Sequence, residues 1–142
     1  IVRGLNTLQF SAAEELPADI LPISATVSGD GVVRLNGAGG AAAFGTAALN
    51  IGSIVDGVRV VPAAPGLDLN LSVCESDATG ACKLSPSESV TVGFSKDART
   101  FSVFLSGNGS VVPFDPENSR VELRFESNGE VRGVTSVAVT TE

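Results

Sequence analysis

Histidine, tryptophan, tyrosine and methionine are absent from this 142-residue chain, and these absences exclude whole classes of function. Without histidine, a Ser-His-Asp or Cys-His catalytic arrangement cannot form, and no metal can be ligated by imidazole. Without tryptophan and tyrosine, the chain lacks the aromatic platforms on which sugars usually stack. A pair of carboxylates could still hydrolyse a glycoside, but the acidic residues fall in turns or at outward strand positions. We therefore expect a non-enzymatic protein with no catalytic residue, no metal ligand and no cofactor.

Positive charge and long apolar runs are also scarce. Nine basic residues against sixteen acidic ones give a net charge of −7, and the basic residues form no patch. This balance disfavours nucleic acid and anionic membranes as partners. No apolar run approaches the roughly 20 residues that span a bilayer, so we expect no membrane insertion. The chain begins at Ile1 without methionine or a basic segment, which indicates a processed or excised N-terminus.

There are only two cysteines, Cys74 and Cys82, and a Ser-Asp-Ala-Thr-Gly turn lies between them. Two cysteines on either side of one short loop predict a structural disulfide. The alternative is a redox pair, but the Cys-x-x-Cys spacing is missing and no cationic residue stands just ahead of Cys74. A disulfide indicates an oxidising compartment, so we expect an extracellular or cell-surface protein.

Apolar and polar residues alternate along several segments, and helical periodicity is almost absent, so the chain is predicted to be all-β. The alternation is clearest at residues 67–73, 90–94, 101–105 and 121–125. Around the last of these, Arg120, Glu122, Arg124 and Glu126 occupy every outward position with alternating sign. That pattern predicts a strand with one solvent-exposed face.

Three dipeptides, Asp30-Gly31, Asp56-Gly57 and Asn128-Gly129, are typical of type I′ hairpin turns, because both of their residues tolerate a positive φ. Together with the alternating segments they predict roughly nine to ten strands in an immunoglobulin-like antiparallel β-sandwich with one disulfide. The length fits a single domain over residues 1–142.

Two segments depart from this regularity. Residues 36–49 are rich in Gly and Ala, which predicts a glycine loop and then a strand whose small side chains let a neighbouring backbone approach closely. The alternative is a flat surface for a partner chain. Residues 1–12 begin with an apolar stretch whose Val2, Leu5, Leu8 and Phe10 could belong to an exchangeable strand. Such a strand can pair within its own sheet or insert into a neighbouring subunit, which would build a filament.

Two kinds of surface site are also candidates. Asn70-Leu-Ser and Asn108-Gly-Ser both fit the N-glycosylation acceptor and should be exposed, although such triplets also arise by chance. Glu75 with Asp77, and Asp115 with Glu117, form acidic loops that could hold Ca²⁺. Neither loop has the spacing of a strong calcium site, and solvated turn residues are the alternative.

The second half of the chain resembles a known kind of module through an ordered set of short motifs. They are Ala43-Phe-Gly, Leu49-Asn-Ile-Gly, Val73-Cys…Thr79-Gly-Ala-Cys, Thr100-Phe-Ser-Val-Phe, Val112-Pro-Phe-Asp-Pro and Arg132-Gly-Val-Thr-Ser-Val-Ala-Val. Over residues 40–140 the chain is similar to a small immunoglobulin-like β-sandwich module of bacterial secreted and surface proteins, mostly without an assigned function. The resemblance implies a structural or interaction role and supplies no catalytic residues.

Two functions follow as expectations. The first is a structural subunit or module of a bacterial surface assembly or pilus-like filament joined by strand exchange, with self-association or neighbouring domains as partners. The second is a monomeric extracellular adhesion module that binds a glycan or protein through its loops at residues 75–79 and 113–118.

Overall fold

The computed structural model describes Ala12 and residues 14–142, and this part of the chain contains strands and turns but no helix. There are nine strands in it. They are β1 (Ile20–Ala25), β2 (Val32–Arg34), β3 (Ala41–Asn50), β4 (Val55–Ala63), β5 (Leu69–Ser76), β6 (Val90–Phe94), β7 (Arg99–Gly107), β8 (Arg120–Ser127) and β9 (Glu130–Thr140).

The strands form two sheets that pack face to face as a β-sandwich. The four-stranded sheet has the order β1-β3-β7-β5, and the five-stranded sheet has the order β2-β9-β8-β4-β6. The predicted all-β sandwich with nine to ten strands is therefore confirmed. One pairing departs from the antiparallel expectation, because β2 runs parallel to β9.

The core lies between the sheets and is built from the inward half of each alternating strand. Phe101, Val103 and Leu105 of β7 are at most 2% exposed, as their alternation predicts. Three phenylalanines occupy the centre: Phe125 has its ring centroid 5.9 Å from that of Phe94 and 5.5 Å from that of Phe101, in edge-to-face geometry. Edge-to-face pairs are favourable beyond their buried area. These rings join β6, β7 and β8 across the two sheets.

Of the three predicted hairpin turns, one is confirmed and two are wrong. Asn128 and Gly129 have φ of 52° and 77° and join β8 to β9. Asp56-Gly57 lies inside β4, where Gly57 has φ 75° at a β-bulge against β6. Asp30-Gly31 lies in the crossover between β1 and β2, which belong to different sheets. A positive φ suits a bulge or a crossover as well as a hairpin.

The outward side of β8 is less exposed than predicted. Glu122 is only 5% exposed, so the expectation of a wet face is wrong at this position. β8 lies between β9 and β4, and the Arg124 guanidinium covers the Glu122 carboxylate with its Nη2 at 2.7 Å from Oε2. Burial lowers the pKa of the neighbouring Arg120, and the charge of Glu122 partly offsets that effect. The outward side of β8 therefore carries partly buried charges, of which Glu122 and Arg124 form an ion pair.

The Gly/Ala-rich segment forms a glycine loop followed by β3, as predicted. Close backbone approach occurs in the loop, where a Cβ on Gly40 would lie 2.5 Å from Asn36 N, and at Gly107, where it would lie 2.0 Å from Ala38 O. In β3 itself, a Cβ added to Gly45 would meet nothing within 4 Å, so the predicted close approach of a neighbour to this strand is wrong at this position. The small residues on the outward side of the strand therefore leave an open surface.

Candidate functional site

The outer face of the four-stranded sheet, which points away from the core, carries no charged side chain. Its members follow from the strand registers and the alternation of each strand. They are Leu21, Ile23 and Ala25 of β1, Ala41, Ala43, Gly45, Ala47 and Leu49 of β3, Thr100, Ser102, Phe104 and Ser106 of β7, and Asn70, Ser72, Cys74 and Ser76 of β5. None of these residues is charged, although 18% of the residues in the chain are.

The exposed apolar part of this outer face lies on β1 and β3. Ile23 is 73% exposed, Leu21 43% and Leu49 40%, and the small residues Gly45 and Ala47 lie beside them. Contiguous apolar surface without charge is typical of interaction sites. The composition of residues 36–49, which include most of β3, predicts a flat surface for a partner chain as one alternative, but the apolar residues that β1 adds to this surface were missed. The sequence feature that could have revealed them is the pattern of β1, which has apolar residues on both faces of the strand rather than on one.

The disulfide between Cys74 and Cys82 is present as predicted and closes the far border of the outer face. The loop that it ties down lies against β7, where Ser102 Oγ donates a hydrogen bond to Gly80 O at 3.0 Å. The chain then returns along β5, and Val73 and Ser87 exchange two backbone hydrogen bonds at 2.8 and 3.0 Å. This strap, residues 77–89, covers the edge of β5 that would otherwise be open to another strand.

Glu75 and Asp77 line one open depression of about 520 Å³ beside the strap, but both carboxylates are engaged by neighbouring groups that hold the strap in place. Glu75 Oε1 lies 2.8 Å from Lys83 Nζ and 2.6 Å from Arg99 Nη1. Burial alone would raise the pKa of Glu75, but the hydrogen bond from Lys83 and the charges of Arg99 and Lys83 lower it on balance. The Thr79 hydroxyl, with the backbone N–H groups of Thr79 and Ala81, lowers the pKa of Asp77.

Acid is expected to destabilise the strap through Glu75. Its pKa in the folded state lies below its ordinary value of 4.5, so its contribution is complete above about pH 4.5 and is lost as the pH falls through the folded pKa. We expect Glu75→Gln to lower the melting temperature at pH 7 and to flatten its decline between pH 5 and about 2. Melting curves across this range measure the effect. The exposed Glu88→Gln is the control, and equal acid slopes for wild type and Glu75→Gln would contradict the assignment.

The second acidic loop is organised in the same way. Asp115 accepts hydrogen bonds from the Asn118 side chain at 2.9 Å and from the N–H of Glu117 at 3.3 Å, and these donors lower its pKa. Within the part of the chain that the structure describes, no three His, Cys, Asp or Glu residues come together as metal ligands would. Of the candidate calcium residues, Asp77 and Asp115 accept hydrogen bonds within their own loops, and Glu75 is paired with Lys83 of the strap and Arg99 of β7.

The two candidate glycosylation asparagines are neighbours in space. Both are exposed, as predicted, and Asn70 Nδ2 donates to Asn108 Oδ1 at 2.5 Å. Asn108 Nδ2 in turn donates to Asp68 Oδ1 at 2.9 Å, and Ser110 Oγ donates to Asp68 Oδ2 at 3.2 Å. These contacts make one polar cluster at the β5–β7 end of the outer face. Modification of either asparagine stays a prediction.

The candidate exchange residues Val2, Leu5, Leu8 and Phe10 lie outside the described residues. No helix in the described part of the chain is long and apolar enough to cross a membrane. Neither a scan against protein-family models nor a search of curated proteins finds a match to this chain. Its function is therefore inferred from the geometry and charge of the surfaces described above.

Proposed function

We propose that this chain is a non-enzymatic structural subunit of an extracellular assembly, in which copies associate along the β1–β3 half of the outer face and exchange their N-terminal strands. The observation that carries the proposal is the uncharged outer face with Leu21, Ile23 and Leu49 exposed on it. A subunit that remained alone would leave these side chains in water, whereas association buries them. Depletion of charged residues is characteristic of the central part of protein interfaces.

The extracellular setting is supported by the disulfide, which persists in oxidising compartments and is rare in the cytosol. The bacterial surface is supported by the resemblance of residues 40–140 to modules of secreted and surface proteins. A structural role is favoured over catalysis because acidic side chains beside the strap and in the second acidic loop are engaged in ion pairs and loop hydrogen bonds. Glu75 and Asp115 illustrate both kinds of engagement.

Sedimentation velocity over a range of concentrations tests the proposal. We expect the intact chain to form oligomers or polymers. The Ile23→Lys variant should have an association constant at least tenfold lower, so that its size distribution shifts towards monomer. The physical reason is that a lysine at the centre of an apolar contact must be desolvated. Because Ile23 is 73% exposed, its replacement should leave the fold intact.

Thr91→Lys is the matched control, because Thr91 is exposed on β6 at the far edge of the other sheet. This variant should assemble as the wild type does. An intact chain that stays monodisperse and monomeric at high concentration would refute the proposed function.

A second candidate function is a monomeric adhesion module. A shallow depression of about 260 Å³ surrounds Phe104 and is bordered by Ala41, Ser72 and Asn70. An aromatic ring beside an amide side chain and a hydroxyl is an arrangement that can hold a polar ligand such as a glycan. A monomeric chain whose glycan binding is abolished by Phe104→Ala would favour this candidate.

A further inference from the structure

The edge of β3 next to β1 has a strand partner along only part of its length. β1 ends at Ala25, which is opposite Gly45 of β3. β3 itself begins four residues earlier, and residues 41–44 pair with β7 on their other side only. After Ala25 the chain leaves this sheet and crosses to β2. An open stretch of sheet edge is therefore left beside the uncharged outer face.

The hydrogen-bond pattern determines which backbone groups face this open edge. Gly107 N donates to Gly40 O, and Ile51 N donates to Asp19 O, each at 2.9 Å. Since narrow and wide pairs alternate in an antiparallel ladder, the even-numbered residues of β3 bond β7 and the odd-numbered ones bond β1. The N–H and C=O groups of Ala41 and Ala43 thus point to the side that β1 does not reach. Such groups are a template for another strand.

A groove runs along the same edge. It has a volume of about 370 Å³ and lies between Ala42 of β3 and Val32 and Val33 of β2. Val27, which is 99% exposed, stands at its rim. Because residue 42 is an alanine, the inward position beside Phe44 is not filled by a large side chain. A strand added to this edge would direct alternate side chains into this groove, whose lining is mainly apolar but includes Ser28 and Arg34.

We propose that this edge of β3 binds residues 8–11 of a second copy of the chain as an antiparallel strand. The inference rests on the proposed function and specifies where the exchanged strand binds. With Gln9 opposite Ala43, Leu8 stands beside Phe44 and Phe10 beside Ala42, so both apolar side chains point into the groove. The polar Gln9 and Ser11 point outward, and the large Phe10 side chain is matched with the small Ala42.

Residues 8–11 of a subunit cannot reach the β3 edge of that same subunit. The backbone O of Pro17 accepts a hydrogen bond from Ser53 N, which places Pro17 beyond the Asn50 end of β3. From Ala41 to Asn50 the strand spans about 30 Å, at ~3.3 Å per residue. Ser11 is only six residues before Pro17, and six residues span at most ~22 Å. Residues 8–11 on the edge must therefore come from a neighbouring subunit.

Cysteine cross-linking tests this assignment. A chain with Gln9→Cys is mixed with a chain carrying Ala43→Cys under mild oxidation, and non-reducing electrophoresis measures the covalent heterodimer. Opposed residues in a hydrogen-bonded antiparallel pair have Cα atoms about 5.5 Å apart, which suits a disulfide. We expect most of the limiting chain to cross-link, and a double variant carrying both cysteines to give a ladder of oligomers.

Ala47→Cys is the matched control, because Ala47 lies on the same outward side of β3 but is opposite Ile23 of β1. We expect at least tenfold less heterodimer with this variant, and a chain without residues 1–12 should remain monomeric. Equal cross-linking at positions 43 and 47, no cross-linking at all, or an intrachain link in the double variant would each overturn the assignment. An intact chain that assembles without this cross-link leaves the proposed function standing, whereas a monomeric intact chain refutes both.

Discussion

Replacing Phe125 by alanine is expected to lower the free energy of unfolding by about 3–5 kcal/mol, the usual cost of removing a buried phenylalanine ring. Phe125 is 0% exposed and contacts Phe94 and Phe101, which come from strands of the two different sheets. Since domains of this size are stable by about 5–15 kcal/mol, this one substitution removes a large share of the total. Urea or guanidinium unfolding measures the change.

Phe114→Ala is the matched control, because it removes the same ring from an exposed loop where Phe114 is 55% accessible. We expect it to cost under about 1 kcal/mol. If Phe125→Ala and Phe114→Ala gave similar midpoints, the three rings would not be the centre of the core.

The regular parts of the sandwich could be predicted because each depends on local sequence. The alternation of Phe101, Val103 and Leu105 determines which side of β7 is buried. The Asn128-Gly129 turn connects two strands that are adjacent in the chain and in the sheet. The disulfide also follows from local spacing, since Cys74 and Cys82 lie on either side of one loop.

The wrong turn predictions have a physical cause. A dipeptide such as Asp56-Gly57 encodes a backbone conformation, here a positive φ at Gly57, but it does not encode which strands flank it. The same conformation produces a bulge within β4 and a crossover near Gly31. Deciding between them requires the pairing partners of β1 and β4, which are distant in sequence.

The candidate site depends on long-range pairing to an even greater degree. Because Leu21 and Ile23 are as apolar as the inward Ile20, the alternation within β1 cannot show which side faces the core. The open edge at Ala43 exists only because β1 ends opposite Gly45. Likewise, Glu122 is buried because β8 is central in its sheet and Arg124 covers the carboxylate. None of these three features has a signature within a short window of sequence.

Removing the disulfide by the double substitution Cys74→Ala and Cys82→Ala is expected to cost about 2–3 kcal/mol, because an eight-residue separation closes a short loop in the unfolded chain. At roughly 2–4 °C per kcal/mol, the melting temperature should fall by about 5–10 °C. Thermal unfolding with and without reductant measures this. The wild type in reductant should approach the variant, and the variant itself should not respond to reductant.

The same substitution is expected to open the edge of β5. Without the tie to Cys74, the strap is held mainly by backbone bonds such as Lys83 N to Glu75 O and Ser87 N to Val73 O, and by the Lys83–Glu75 ion pair. Amide hydrogen exchange should therefore accelerate first at Lys83 and Ser87, while the amide of Val103 in the central strand β7 keeps its protection.

An uncovered β5 would present a second template for strand pairing in addition to the edge at Ala43. The variant should then form irregular aggregates rather than a defined assembly, and electron microscopy of the variant beside the wild type distinguishes the two. Regular wild-type-like particles from the disulfide-free chain would show that the strap does not restrict pairing to one edge.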